Sequence, residues 1–470
     1  MVVGELTQEV DLVVIGGGPG GYVAALAAAD NGIQTAVIEE AKIPGGVCLR
    51  EGCIPSKALL HVGKIIDEID HAETFGITAK RTGVDVEKLR SWKNGVIRKL
   101  GGGVQSLLKG RKVDYFNGTA AFEGSNIIRV EGADTTRIKF RHAIIATGSS
   151  AKMLPESVLP RELCWNAADA LELSEIPKRL LIIGGGYIGL EIGQVYAALG
   201  SEVTVVEALD GVLTGLDPEL AKPLLSRLNK QMKAIHVKTS FKGAKKKGNE
   251  ISVTYAVDGK ETTESFDKIL VSVGRKPRTE GLGLEHTKVT LTDRGFIQVD
   301  KQFRTTDKKI FAIGDVAGDP MLAHKASREA KIVANVLAGK NDEWDNVTIP
   351  AVVYTDPEVA WCGVTEAEAK AKKLDFSVKK FPWAGSGRAV SMARTEGLTK
   401  LIFDNKTQRL IGMGIVGAHA GDLLMEGVLA MEMAAVAEDL ALSIHPHPSL
   451  GETIMEAAEA MTGHAIHGSH

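Results

Sequence analysis

Two cysteines and, far downstream, a histidine followed by a glutamate are the side chains of this sequence best suited to chemistry. Cys48 and Cys53 stand five positions apart in GGVCLREGCIPSKALL. Such a pair is incidental, half of a metal site, or a dithiol that cycles with its disulfide. A metal needs two further ligands at close spacing, and no second Cys/His pair with such spacing is visible, so no metal site is expected. Ile54 to Leu60 reads as helix, which puts Cys53 in or just before its first turn. Five residues of regular helix rise about 7.5 Å, whereas a disulfide joins Cα atoms up to about 7 Å apart. If the sulfurs bond, the backbone between them must leave the helix, and Gly52 is placed to allow it. A helix start nearby favours the thiolate, and a strained, accessible bond is easily reduced.

A dithiol substrate attacks a disulfide only as a thiolate, which calls for a base working near neutral pH. His447 in IHPHPSLGE is the candidate, with Glu452 five residues on, across the turn set by Pro448, to fix the imidazole tautomer. A loop histidine that is merely solvated is the competing reading, and residue chemistry alone leaves both open.

The elements that must position these groups form an internal repeat. VIGGGPGGYVAALAAADNGIQTAVIEE begins at Val14 and LIIGGGYIGLEIGQVYAALGSEVTVVE at Leu181. Gly16, Gly18, Gly21 and Glu39 recur as Gly184, Gly186, Gly189 and Glu207, each 168 residues on. Each copy reads as a strand (Asp11 to Ile15; Arg179 to Ile183), a glycine turn, an Ala-rich helix and a second strand ending in an acid. The first glycine permits the turn, the second lets a pyrophosphate approach backbone, and the third packs helix on strand. The helix start faces the anion, and the acid accepts hydrogen bonds from a ribose. Two dinucleotide sites plus a dithiol describe two-electron transfer through three stations. A nicotinamide and a thiolate do not readily exchange electrons directly, so a flavin is expected between them. The cysteines lie in the first unit, which assigns FAD there and the nicotinamide to the second. Ala208 and Leu209 follow Glu207, with no Arg for a 2′-phosphate, which favours NAD over NADP.

Gly412, Gly414 and Gly417 also spell GxGxxG, but Ala435 stands where the acid belongs, and LIGMGIVG reads as a buried strand. Cys164 and Cys362 read as small buried hydrophobes. Lys245 to Lys247, between Gly243 and Gly248, reads as a solvated turn, and the closing GHAIHGSH as a flexible tail. The 470 residues suggest about three domains, and 56 basic against 59 acidic side chains leave a net charge of −3. That balance argues against a nucleic-acid or polybasic membrane binder. The start has no signal-peptide pattern, no stretch is long and apolar enough to span a bilayer, and four cysteines are too few for a disulfide scaffold. The cytoplasm, a reducing compartment, is expected.

VIGGGPGG, GGVCLREGCIPSKALL, IIATGS, GGGYIGLE, VGRKPRT, FAIGDVAGDPMLAHKA, YTDPEVAWCG and HPHPSLGE together resemble the flavoprotein disulfide reductase family over essentially the whole chain, and within it the branch that oxidises dihydrolipoyl groups. The resemblance implies an α/β fold of two Rossmann-like domains, for FAD and NAD, plus an α+β dimerisation domain. It implies a first FAD segment over 1–149, an NAD domain over 150–278, a return to the FAD domain over 279–349 and an interface domain over 350–470. By the same resemblance Cys48 is the interchange thiol, Cys53 the thiol against the flavin, His447 the base and Glu452 its partner. Lys57 and Glu191 would be an ion pair beside flavin and nicotinamide. Thr147, Gly148, Asp315 and Ala323 would join Gly16, Gly18, Gly21 and Glu39 around FAD, and Gly274 would join the NAD set. The implied assembly is a homodimer in which the His–Glu pair reaches the other subunit's disulfide. The implied partners are lipoyl domains and the core acyltransferase of 2-oxoacid dehydrogenase complexes, or the glycine cleavage carrier protein. Arg50-Glu51 departs from the family's usual Asn-Val between the cysteines. A glutathione-type reductase shares the relay, but Ser56 and Glu207 suit the lipoyl branch better; a mercuric-ion reductase would want a C-terminal Cys pair, and a nucleotide-binding scaffold would not need the full Cys and His–Glu set.

Overall fold

The computed structural model describes residues 7–132 and 136–467. The first sheet is built on β1 (Thr7–Ile15), which lies parallel between β2 (Thr35–Glu39) and β5 (Thr136–Ile145). β3 (Asp114–Gly124) runs parallel to β2 at its start and then turns antiparallel against β4 (Ile127–Gly132), which pairs in turn with β5. The late strand Ile310–Ala312 adds to β5 in parallel, so the chain returns to its first sheet after building the second. Buried on both faces, β2 is apolar but for its ends, as parallel strands require. Helices α1 (Pro19–Asp30), α2 (Gly46–Glu51), α3 (Cys53–Asp70) and α4 (Val86–Gly110) follow. α1 presents Gly21, Ala24, Ala25 and Ala28 inward, and these small side chains let it pack closely on the helix Ala323–Leu337.

The second sheet repeats the plan. Ala234–His236, Glu202–Val206, Arg179–Ile183, Lys268–Val271 and Cys164–Trp165 lie side by side in that order, all parallel, next to an antiparallel meander of Thr239–Lys247, Glu250–Val257 and Lys260–Phe266. Lys245 to Lys247 are solvated as expected, yet they extend an edge strand opposite Ser252, Ile251 and Glu250, and the turn falls one step later at Gly248. Cross-strand hydrogen bonding there overrides the flanking glycines. The third sheet is wholly antiparallel, ordered Ala351–Val353, Glu358–Gly363, Leu410–Gly417, Leu398–Asp404 and Phe376–Pro382. Its core gathers Trp383, Phe381, Phe403 and Ile454. The decoy glycines sit in its middle strand, where a Cβ on Gly414 would lie 2.3 Å from Leu220; they serve packing, not phosphate. Cys164 and Cys362 are buried, and burial pushes the Cys362 thiol up to about 12. The end of the chain is less free than expected: Ala465 is buried and His467 bonds Glu456, while residues 468–470 lie outside the described residues.

Candidate active site

Both glycine turns have the geometry of a phosphate cradle. Gly16 and Gly184 adopt φ of +101° and +108°, and a Cβ on either would strike a carbonyl of the neighbouring strand end. A Cβ on the third glycine, Gly21 or Gly189, would lie 1.7 or 2.3 Å from the carbonyl oxygen of the first. The middle glycines differ: Gly18 has no neighbour nearer than 3.8 Å and Gly186 none within 4 Å, so backbone there opens onto free space. No side chain caps either following helix, which leaves first-turn N–H groups for an anion. Glu39 accepts from Gly17 N (2.7 Å), and Glu207 accepts from Gly185 N (2.6 Å) and Leu209 N (2.8 Å). Each acid is thus fixed at the lip of its turn. The residues present fit two dinucleotides.

Of the other expected cofactor residues, Thr147, Gly148 and Asp315 follow strands of the first sheet, and Gly274 follows a strand of the second. Thr147 Oγ1 donates to Arg278 O (2.7 Å), and Gly148, at φ +71°, accepts from Arg278 N (3.0 Å). Asp315 stands in the turn Gly314–Val316 and accepts from Ser149 Oγ, which in turn accepts from Arg275 Nε (2.7 Å). Ala323 opens the helix Ala323–Leu337. Gly274, at φ +109°, lies between Lys268–Val271 and the short strand Arg275–Pro277.

Between the cradles lies the dithiol. α2 stops at Glu51, Gly52 leaves helical geometry (φ −138°, ψ −107°), and α3 starts on Cys53 itself. The backbone leaves the helix at Gly52, the position expected to allow a bond between the two sulfurs. Both cysteines are free thiols, and each dominates the other's titration. The Cys48 S–H stabilises the Cys53 thiolate and, helped by Lys57 against the cost of burial, brings the Cys53 thiol down to about 7. The same contact, with burial, drives Cys48 far up. Cys53 is thus the sulfur prepared to carry charge, at the N-terminus of an 18-residue helix.

Lys57 Nζ donates to Glu191 Oε2 (2.8 Å), a carboxylate that is only 3% exposed. Two tyrosines with no assigned role in the sequence also face this site. Tyr187, first residue of the helix Tyr187–Ala198, keeps 40% of its surface exposed; desolvation on its packed side raises the phenol against the pull of Arg275, and the charges of Cys53, Glu191 and Asp315 also bear on it. Tyr354 places its ring 4.5 Å from Lys57 Nζ. Both stood inside recognised motifs, GGGYIGLE and YTDPEVAWCG, so the available signal was an aromatic at a motif position.

His447 and Glu452 are brought together as expected, with Nδ1 2.9 Å from Oε1. Burial alone would raise the Glu452 carboxyl, but Ser449 N–H (2.7 Å) and His447 outweigh it and leave it lowered. This pair is not brought to the dithiol within one chain. The His447 side chain is 80% exposed, and among the described residues its hydrogen bond goes to Glu452 and to neither cysteine.

The family model for pyridine nucleotide-disulphide oxidoreductases matches residues 10–330, and the model for the dimerisation domain of the same proteins matches residues 349–458. The chain belongs to this family. Its relatives include proteins named dihydrolipoyl dehydrogenase from Bacillus subtilis, 46% identical over 99% of both chains, and from Haemophilus influenzae, 44% identical over 97% of this chain and 95% of the other. Among solved structures, LpdA from Mycobacterium tuberculosis superposes with a TM-score of 0.88 at 26% identity, covering 96% of this chain and all of that one. The HOCl-induced flavoprotein disulfide reductase RclA from Escherichia coli, solved as a Cu(II) complex, gives 0.86 at 27% identity over 96% and 99% of the two chains. The expected fold class holds: two dinucleotide-binding domains and a dimerisation domain. The protein is an oxidoreductase of a family that uses FAD and NAD. No described helix is long and apolar enough to cross a membrane.

Proposed function

We propose that the chain is a dihydrolipoyl dehydrogenase, passing electrons from dihydrolipoyl groups through Cys48 and Cys53 and bound FAD to NAD+. The observation that carries this is the asymmetric dithiol: Cys53, eased toward thiolate at the start of α3 beside Lys57, lies with its partner Cys48 between two dinucleotide cradles. The names of relatives at 43–46% identity supply the substrate class. In this reading Gly16, Gly18, Gly21, Glu39, Thr147, Gly148, Asp315 and Ala323 hold FAD, and Gly184, Gly186, Gly189, Glu207 and Gly274 hold NAD. The domain limits are 1–149, 150–278, 279–349 and 350–470.

From the disulfide form, His447 of one chain takes a proton from a substrate thiol, with Glu452 stabilising the imidazolium. The substrate thiolate attacks Cys48 Sγ; a mixed disulfide forms and the Cys48–Cys53 bond breaks, leaving the electron pair on Cys53 Sγ. The helix start and Lys57 hold that negative charge. The second substrate thiol, its proton passing to solvent, attacks the substrate sulfur of the mixed disulfide; the product disulfide leaves, and the freed Cys48 thiolate takes the proton from His447. Held by the first cradle, with Gly16, Gly18, Gly21 and Glu39 around it, FAD would supply the two-electron chemistry that links the dithiol to an NAD+ held by Gly184, Gly186, Gly189 and Glu207. The partners would be lipoyl domains and the acyltransferase core of 2-oxoacid dehydrogenase complexes or the glycine cleavage carrier protein, the working unit a homodimer, and the compartment the cytoplasm.

The test compares NAD+ reduction by dihydrolipoamide with NADPH-driven reduction of glutathione disulfide. The first should proceed and the second should not, and Cys53→Ser should abolish lipoyl turnover while retaining bound flavin. Turnover by Cys53→Ser at the wild-type rate would refute the relay.

A further inference from the structure

The Lys57–Glu191 pair has a third member from a different domain. Tyr354 follows the edge strand Ala351–Val353 of the third sheet, and its ring packs against the Lys57 ammonium. Its backbone N–H donates to Glu191 Oε1 (2.9 Å), while Glu191 Oε2 accepts from Lys57. One carboxylate therefore grips both the lysine and the backbone that carries the ring. Two residues on, Gln194 holds Asp356 in both directions, accepting from its N–H (2.7 Å) and donating to its carbonyl (2.8 Å). The Asp356 carboxylate takes Arg394 and Arg227, and Arg227 reaches Asp67 near the end of α3. The Tyr354–Asp356 segment is thereby clamped to the same two helices that bear Glu191 and Lys57.

Lysine is a point charge on a flexible stem. Glu191 alone anchors it from one side, and a carboxylate partly cancels the positive charge that Cys53 needs. An aromatic face attracts the ammonium without cancelling it. We propose that Tyr354 is a positioning residue for Lys57, its ring confining the ammonium so that its charge acts on the Cys53 sulfur at a fixed range. The groups that face Cys53 are Cys48 from α2, Lys57 from its own helix, Glu191 and Tyr187 from the helix Tyr187–Ala198, and Tyr354 from the third sheet. Of these, Lys57 is the cation that favours the thiolate, so loosening it disfavours charge on Cys53.

The inference rests on the reading that Cys53 lies against bound flavin. It is tested by pH titration of the long-wavelength absorbance that a thiolate gives beside flavin, in two-electron-reduced holoenzyme. Tyr354→Leu should move the midpoint up by roughly half a unit or more, whereas Tyr354→Phe, which keeps the ring, should titrate as the wild type does. Gln194→Ala keeps the ring but slackens its backbone, and should shift the midpoint in the same direction. A midpoint that ignores both Tyr354→Leu and Gln194→Ala, or that moves as far in Tyr354→Phe as in Tyr354→Leu, overturns the proposal. A wild-type holoenzyme without such a band overturns the flavin–thiolate reading as well; a wild-type band with an unresponsive midpoint overturns this inference alone.

Discussion

Two sulfurs of identical chemistry are made unlike by their surroundings. Cys53 heads a helix, receives the Cys48 S–H and feels Lys57; Cys48, on the preceding short helix, is driven the other way by the same contact and by burial. The consequence is directional: a thiolate attacking Cys48 expels Cys53, the better leaving group, and not the reverse. Because the folded Cys53 thiol sits below its ordinary value, at about 7, its thiolate persists above that pH and is lost below it. Reduced holoenzyme is expected to lose its long-wavelength absorbance as pH falls through about 7, read by titration in a spectrophotometer. A band that survives well into the acid range would mean that further cations act on Cys53 in the assembled enzyme. Glu452 works at the same scale. With Ser449 N–H on one oxygen and His447 on the other, it cannot rotate away from the imidazole without losing a backbone bond.

At the scale of elements, the dithiol and the first cradle are locked together through glycine. α2 begins at Gly46, φ +61°, and a Cβ there would lie 2.5 Å from Gly18 Cα. The redox helix therefore rests directly on the backbone that should meet the pyrophosphate. Gly46→Ala should cost about 1–3 kcal/mol from the left-handed backbone alone, and also push the cradle open. The expected result is a lower melting temperature together with faster flavin release, followed by fluorescence of the freed cofactor. Unchanged flavin retention would show that the two elements move independently. This contact was not legible in the sequence, because Gly18 and Gly46 belong to separate motifs and only the fold brings them together. The motifs themselves were legible. The twin turns reveal themselves by three glycines each with a different steric duty, and the break at Gly52 follows from helix rise against disulfide reach. The Lys245 to Lys247 strand failed to show because its partner, Glu250–Val257, supplies a pairing energy that local composition does not encode. Tyr354 was hidden for a similar reason: its role depends on a neighbour, Lys57, from a different domain.

At the scale of the whole molecule, one chain brings the dithiol and both glycine cradles together but, among the described residues, leaves the His447–Glu452 pair without a hydrogen bond to either cysteine. The dithiol has no hydrogen bond to His447, whose side chain points outward beside Ile444, which is 99% exposed. On the helix Ala420–Glu432 and just past it, Met425, Leu429 and Met433 recur every four residues and are also exposed. A contiguous apolar face of this kind, within the segment matched by the family's dimerisation domain, calls for a second copy to cover it. If that copy also delivers His447, then the two halves of the site come from different chains. Hybrid dimers of a Cys53→Ser chain and a His447→Gln chain decide the matter. Each homodimer is inactive toward dihydrolipoamide whichever way the site is built. In the hybrid, a site shared between chains is whole once, with cysteines from the His447→Gln chain and the base from the Cys53→Ser chain, and doubly defective once. Random association of equal amounts should then restore about a quarter of the wild-type sites. A site completed within one chain would restore none, since every chain in the mixture carries a lesion. The measurement is dihydrolipoamide-dependent NAD+ reduction by the co-expressed pair, with each homodimer as its own control. An inactive mixture shown by mass to contain the hybrid would place the base and the dithiol on the same chain.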